Sequence, residues 1–190
     1  METTQSPILN NPYEEPRWHY DADLDGNLDY GHVLKGRRPY SATIGISPNT
    51  PNKALFSHDE VEEADPNASF INALRTEVKQ WREKNYPHVT RVTRLLLNFW
   101  FNNPERQDYK KLFFCQREAV ETAVYLNEVA AFDPNIGRDL LRQLDERCES
   151  VSQQYEYVLP RTAFKMATGT GKTVVMAMLI LYNYLNKKEA

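Results

Sequence analysis

The 190-residue chain is 41% hydrophobic and 26% charged, long enough to bury a core of its own as one domain, or as one domain with an extension. A net charge of −3 excludes the broad basic excess that marks a nucleic-acid-gripping surface, without excluding DNA as the partner of a larger assembly. Cys115 and Cys148 have neither CxxC spacing nor a His/Cys cluster around them, which argues against a disulfide framework or a zinc site and for a reducing compartment.

The N-terminus, METTQSPILNNPYEEP, lacks a basic stretch followed by an apolar one, so no signal peptide is expected. The longest apolar run, Val174–Tyr182, spans roughly 13 Å as a helix, against about 30 Å for a bilayer core, and reads as a buried helix rather than a membrane span. The expected location is cytoplasmic.

Residues 1–60 are rich in Pro, Asn, Asp and Tyr and read as an extension with little regular structure, apart from one possible strand at Tyr40–Ser47. Lys35–Pro39 is a short basic cluster whose plainest role is a solvated turn, and the acidic run His58–Pro66 reads as a helix start or linker. His19, His32, His58 and His88 are scattered and do not suggest a ligand set.

Residues 61–104 read as a helical segment. Phe70, Ile71, Leu74, Val78 and Trp81 fall on one face of a helix that should stop near Pro87. Val89–Phe101 is a second helix, aromatic enough to require packing, and Phe101–Gln107 breaks the chain. A third helix follows at Cys115–Ala130, with Ala119, Val120, Ala123, Val124 and Val129 near one face. Glu118 and Glu121 are then placed on its exposed side, as solvating residues. After the punctuation Asp133–Gly137, a fourth helix at Arg138–Val151 carries the stripe Leu140, Leu141, Leu144, Cys148, Val151. Leu159–Met166 reads as a short strand, and Lys172 starts an apolar helix.

Between that strand and that helix lies MATGTGKT, residues 166–173. Strand, glycine-rich turn, Lys-Thr and buried helix form the context a phosphate loop requires. Gly169 and Gly171, lacking a Cβ, permit positive φ and close approach of an oxyanion. Backbone N–H groups over Thr168–Thr173 can then converge on phosphates at the positive end of the next helix. Lys172 would neutralise β/γ-phosphate charge, Thr170 belongs to the same cradle, and the Thr173 hydroxyl would ligate Mg²⁺. The strict pattern GxxxxGK[ST] asks for glycine at position 166, where this chain has Met166.

MATGTGKT resembles motif I of superfamily 2 helicases and translocases, whose version of the loop often replaces that first glycine. Leu112–Leu126 (LFFCQREAVETAVYL) is similar to the region before motif I in which a glutamine reads adenine. The resemblance implies that role for Gln116, whose amide can both donate and accept; the Arg or Pro that relatives often place before it is Phe113 or Phe114 here. Pro7–Gly26, Gly36–Tyr40 and the two motifs together look like the start of type III restriction endonuclease R subunits. That resemblance touches both ends of the chain and covers the middle patchily.

It implies an α/β fold, with residues 105–190 the beginning of a RecA-like helicase ATP-binding domain. It also implies ATP and Mg²⁺ as cofactors, DNA as the partner of later domains, and a modification methyltransferase subunit as a further partner. Hydrolysis also needs a Walker-B acid and an arginine finger. No DExH-type sequence follows Lys172, so the expectation is an N-terminal piece of a longer motor, inactive alone and with no complete catalytic set. Another P-loop ATPase, or a non-catalytic nucleotide-binding protein or gene remnant, stays open as an alternative.

Overall fold

The computed structural model describes residues 8–22, 27–40, 66–105, 111–134, 136–152 and 163–187. The chain divides into two compact units, Met1–Ala73 and Leu74–Ala190.

The first unit holds an antiparallel hairpin of β1 (Trp18–Ala22) and β2 (Leu28–Lys35), where the sequence suggested little regular structure. Trp18 pairs with Lys35, His19 with Leu34 and Tyr20 with Val33, and a bulge then brings Asp21 opposite Asp29. The bulge is stitched by Asp29, whose carboxylate accepts from the Gly31 N–H at 2.8 Å and contacts His32 Nδ1 at 2.5 Å. Asn10 braces the open end. Its Oδ1 accepts from the Arg17 and Trp18 amides at 2.8 and 3.0 Å, and its Nδ2 donates to the Trp18 carbonyl at 2.8 Å. Asn72 holds the segment after the hairpin in the same manner, bonding both the N–H and the C=O of Tyr40. The strand expected at 40–47 otherwise lies outside the described residues.

α1 (Pro66–Glu83) begins in this unit and continues into the second. Its later turns bury Leu74, Val78 and Trp81, the face that the sequence spacing indicates. It ends because Asn85 takes the left-handed conformation (φ 60°), which lets the Tyr86 N–H reach back to the Trp81 carbonyl at 3.1 Å. Asparagine tolerates this cap geometry better than other residues with a Cβ.

α2 (Arg91–Phe101) starts at Thr90, whose hydroxyl accepts from the Thr93 N–H at 3.1 Å. It buries Thr93, Leu96, Leu97 and Trp100 but leaves Leu95 and Phe99 exposed, so only one face of this aromatic helix is packed. α3 (Phe114–Val124) runs on through a π-turn at Tyr125–Val129 and a 3₁₀ turn at Ala130–Phe132 before α4 (Ile136–Ser152). α5 (Lys172–Lys187) packs on α2 and α3. The core of the unit is built from Leu97, Val120, Val124, Ala130, Leu140, Val175 and Met178.

α5 buries only Val175, Met178 and Tyr182, while Met176 and Ile180 on other faces are 61% and 66% exposed. The all-round burial expected of it is therefore realised on one side. Of the strand expected at 159–166, residues 159–162 lie outside the described residues, and residues 163–167 run into the turn without strand pairing. No helix among the described residues is long and apolar enough to cross a membrane.

Candidate phosphate-binding turn

The turn sits at the N-terminus of α5 and is organised around one carbonyl. Ala167 O accepts from the Thr170 N–H at 3.4 Å, the Thr170 hydroxyl at 2.7 Å and the Lys172 ammonium at 2.9 Å. Lys172 thus bends back onto the turn while staying exposed to solvent. Gly169 and Gly171 have φ of 81° and 75°, conformations that an L-residue with a Cβ resists. Open space surrounds the Cβ direction of Gly169, whereas a Cβ on Gly171 would collide with the side-chain amide of Gln116.

Gly171 O accepts from the Val174 and Val175 amides, which starts the helix. The N–H groups of Gly169, Gly171, Lys172 and Thr173 have no acceptor among the described residues. Such donors, with the positive end of the α5 dipole behind them, are an arrangement that can accept an anion. Thr173 is exposed on the first turn of α5, and Thr168 is exposed on the turn itself.

Gln116 reaches this turn from far away in sequence. It lies in the first turn of α3, 5% exposed, and its amide is divided between two tasks. Oε1 accepts from the Phe113 N–H at 2.9 Å and so caps its own helix; Nε2 donates to the Thr170 carbonyl at 3.0 Å. All the residues singled out in the sequence are therefore brought together here. Gln116 meets them as a latch on the turn, its amide facing the loop rather than open solvent.

No family model, curated protein or solved structure matches the chain.

One turn further along α3 stands a group that the sequence pattern misplaced. Glu121 is not on the exposed side of its helix: it is 0% exposed. Its Oε2 accepts from Arg82 Nε at 2.7 Å, and its Oε1 accepts from Arg117 Nε at 2.8 Å and from the Tyr86 hydroxyl at 2.5 Å. Arg117 also donates to the Tyr86 hydroxyl at 2.7 Å, while its guanidinium lies 5.2 Å from the Phe101 ring centroid. Burial, reinforced by the Glu121 charge, pushes the Tyr86 hydroxyl far above its ordinary range, so it stays a proton donor. Burial works to lower the Arg117 pKa, but Glu121 and Tyr86 together outweigh it and the guanidinium is held charged. The cluster ties the end of α1 to the start of α3, the helix that carries Gln116. It is a fixing device, not an acid–base pair.

Proposed function

We propose that residues 167–173 bind the phosphates of ATP with Mg²⁺, and that the chain is the N-terminal part of an ATP-dependent DNA helicase or translocase of the type III restriction endonuclease R-subunit kind. The observation that carries the first part is the Lys172 ammonium on the Ala167 carbonyl, inside a turn with two left-handed glycines and four amides that have no acceptor among the described residues. A bound triphosphate offers that ammonium a stronger, anionic acceptor than a carbonyl. The turn amides would take phosphate oxygens, and Thr173 would supply one oxygen to Mg²⁺, an ion that characteristically enters such sites partly coordinated by phosphates. Magnesium there would offset phosphate charge. The second part rests on the resemblance of the quoted motifs; DNA, a methyltransferase partner and a cytoplasmic site of action follow from it.

Thermal unfolding with ATP·Mg²⁺ tests the phosphate turn. Binding to the folded state alone adds about 2.7 kcal/mol at a ligand concentration of 100 Kd. Lys172→Ala removes one exposed hydrogen bond and should leave the nucleotide-free melt nearly unchanged while abolishing the ATP-dependent shift. Equal shifts in both proteins overturn the assignment. The motor reading is checked in the source gene and in cells. A frame continuing past Ala190 into a DExH motif supports it, and a stop there with only a 22.2 kDa product overturns it.

A further inference from the structure

The second unit contains a recess of about 270 Å³ whose polar groups point to a cationic ligand. One wall is the α1 face carrying Glu77, Trp81 and Lys84. The Trp81 indole is fixed there, because its N–H donates to the Pro87 carbonyl at 2.8 Å. Opposite it, the π-turn contributes Tyr125, with rings 5.8 Å from Trp81, and the 3₁₀ turn contributes Phe132, stacked on His88 at 6.0 Å. Asp133 completes the rim.

Two polar groups in this recess have no bonding partner among the described residues. Tyr125 is 2% exposed, and its hydroxyl makes no hydrogen bond among the described residues. The Glu77 carboxylate likewise has neither a hydrogen bond nor an ion pair among them, and Lys84 forms no ion pair there either. Buried hydroxyls are nearly always bonded, so an orphan facing a cavity asks what completes it. Burial and the neighbouring Asp133 charge raise the Glu77 pKa, with Lys84 only partly opposing them. Burial and the same two carboxylates push Tyr125 up to about 12, which keeps its hydroxyl protonated.

An anion is repelled by this pair of carboxylates. A neutral apolar ligand leaves both orphans unmet. A bare divalent ion needs six or more oxygens and would meet mostly rings. An organic cation with N–H donors fits every wall: charge for the carboxylates, a donor for the tyrosine oxygen, and a flat or compact face for the aromatics. We propose that this recess binds a guanidinium or alkylammonium group between Glu77, Asp133 and the Tyr125 hydroxyl, against the Trp81 and Phe132 rings. The site is independent of the phosphate turn. The group comes either from a free polyamine or from a basic side chain of a peptide.

The test is a titration with agmatine at fixed ionic strength, followed at the Trp81 indole N–H by NMR. A saturable shift is expected, weakened about tenfold or more in Glu77→Gln, where a charge-assisted hydrogen bond is lost. Tyr125→Phe should weaken it too, without lowering the melt, because the hydroxyl it removes has no partner among the described residues. A shift that does not saturate, or one that Glu77→Gln leaves unchanged, overturns the proposal. Spermidine and the peptide Gly-Gly-Arg-Gly-Gly then separate the sources. A peptide that binds at least as tightly as agmatine identifies a protein side chain, and its exclusion while spermidine saturates identifies a polyamine.

Discussion

Gln116 Nε2 donates to the Thr170 carbonyl at 3.0 Å, which makes a helix start and a glycine turn, far apart in sequence, one mechanical element. The neighbouring Gly171 is pinned from two directions, by its φ of 75° and by the Gln116 amide lying where a Cβ would go. Gly171→Ala must therefore adopt a left-handed conformation that costs about 1–2 kcal/mol and also expel Gln116 from its bond to Thr170. Gly169→Ala meets open space and carries only the conformational cost. The expected outcome is loss of ATP-dependent stabilisation in the Gly171 variant and a weakened but measurable shift in the Gly169 variant. Equal behaviour in thermal melts would show that Gln116 plays no part in shaping the turn.

Glu121 answers two arginines from a fully buried position. Glu121→Ala leaves Arg82 and Arg117 facing each other with their shared counter-charge removed, a change that costs about 3–5 kcal/mol in such settings. Tyr86→Phe removes one hydroxyl from the same carboxylate and should cost about 1–3 kcal/mol. Because both act on one network, the double variant Glu121→Ala/Tyr86→Phe should be less destabilised than the sum of the two. Urea unfolding of the wild type and the three variants measures this. Additive losses would mean that the cluster does not act as a unit.

The helices were legible because their burial follows local spacing: Leu74, Val78 and Trp81 repeat on one face. The turn was legible for the same reason, since Gly169, Gly171, Lys172 and Thr173 are contiguous. Glu121 was not. Helical patterning sends charged residues outward, and only Arg82 and Tyr86, more than thirty positions earlier, make its burial tolerable. The hairpin was missed although Asp25-Gly26 is a turn dipeptide flanked by Trp18, Tyr20 and Leu28–Leu34. Its strands are short and interrupted by Asp and Gly, so their pairing outweighs a poor local propensity. The recess at Tyr125 had no sequence signal, because it depends on a π-turn meeting the end of α1.

Asn85 closes α1 from the left-handed region, where glycine is the least strained residue. Asn85→Gly should leave stability unchanged or raise it slightly, whereas Asn85→Val should destabilise by more than about 1 kcal/mol, since a β-branched residue strongly resists positive φ. Chemical denaturation compares the two. A destabilising glycine would indicate that the Asn85 side chain, rather than its backbone, holds the cap.

Glu77 carries a raised pKa from burial and from Asp133. A carboxylate raised in the folded state contributes stability that is complete below its ordinary value of 4.5 and is lost as pH rises through the folded value. At neutral pH its charge therefore works against the fold. Glu77→Gln should melt higher than the wild type at pH 7, and the advantage should shrink as the pH is lowered toward 4. An advantage that does not change with pH would locate the effect elsewhere.

His32 and Asp29 give the opposite end of the pH range a marker. Their contact at 2.5 Å raises the histidine above its ordinary 6.5, mainly through the hydrogen bond to Asp29, and the same bond lowers the aspartate below its ordinary 3.8. The cationic histidine also faces a hairpin position where Asp21 and Asp29 stand opposite each other, a like-charge pairing that a nearby cation relieves. The histidine contribution is fully present below 6.5 and is lost as pH rises through its raised value; the aspartate contribution is present above 3.8 and is lost as pH falls through its lowered value. The pair is therefore intact in the mildly acidic window between the two. The His32 ring resonance should titrate with a midpoint above 6.5, and Asp29→Asn should bring it back toward that value. Both atoms are solvent-exposed, so added salt should erode the shift as well. A midpoint unchanged by Asp29→Asn would assign the shift to Asp21 and remove His32 from the bulge that sets the hairpin register.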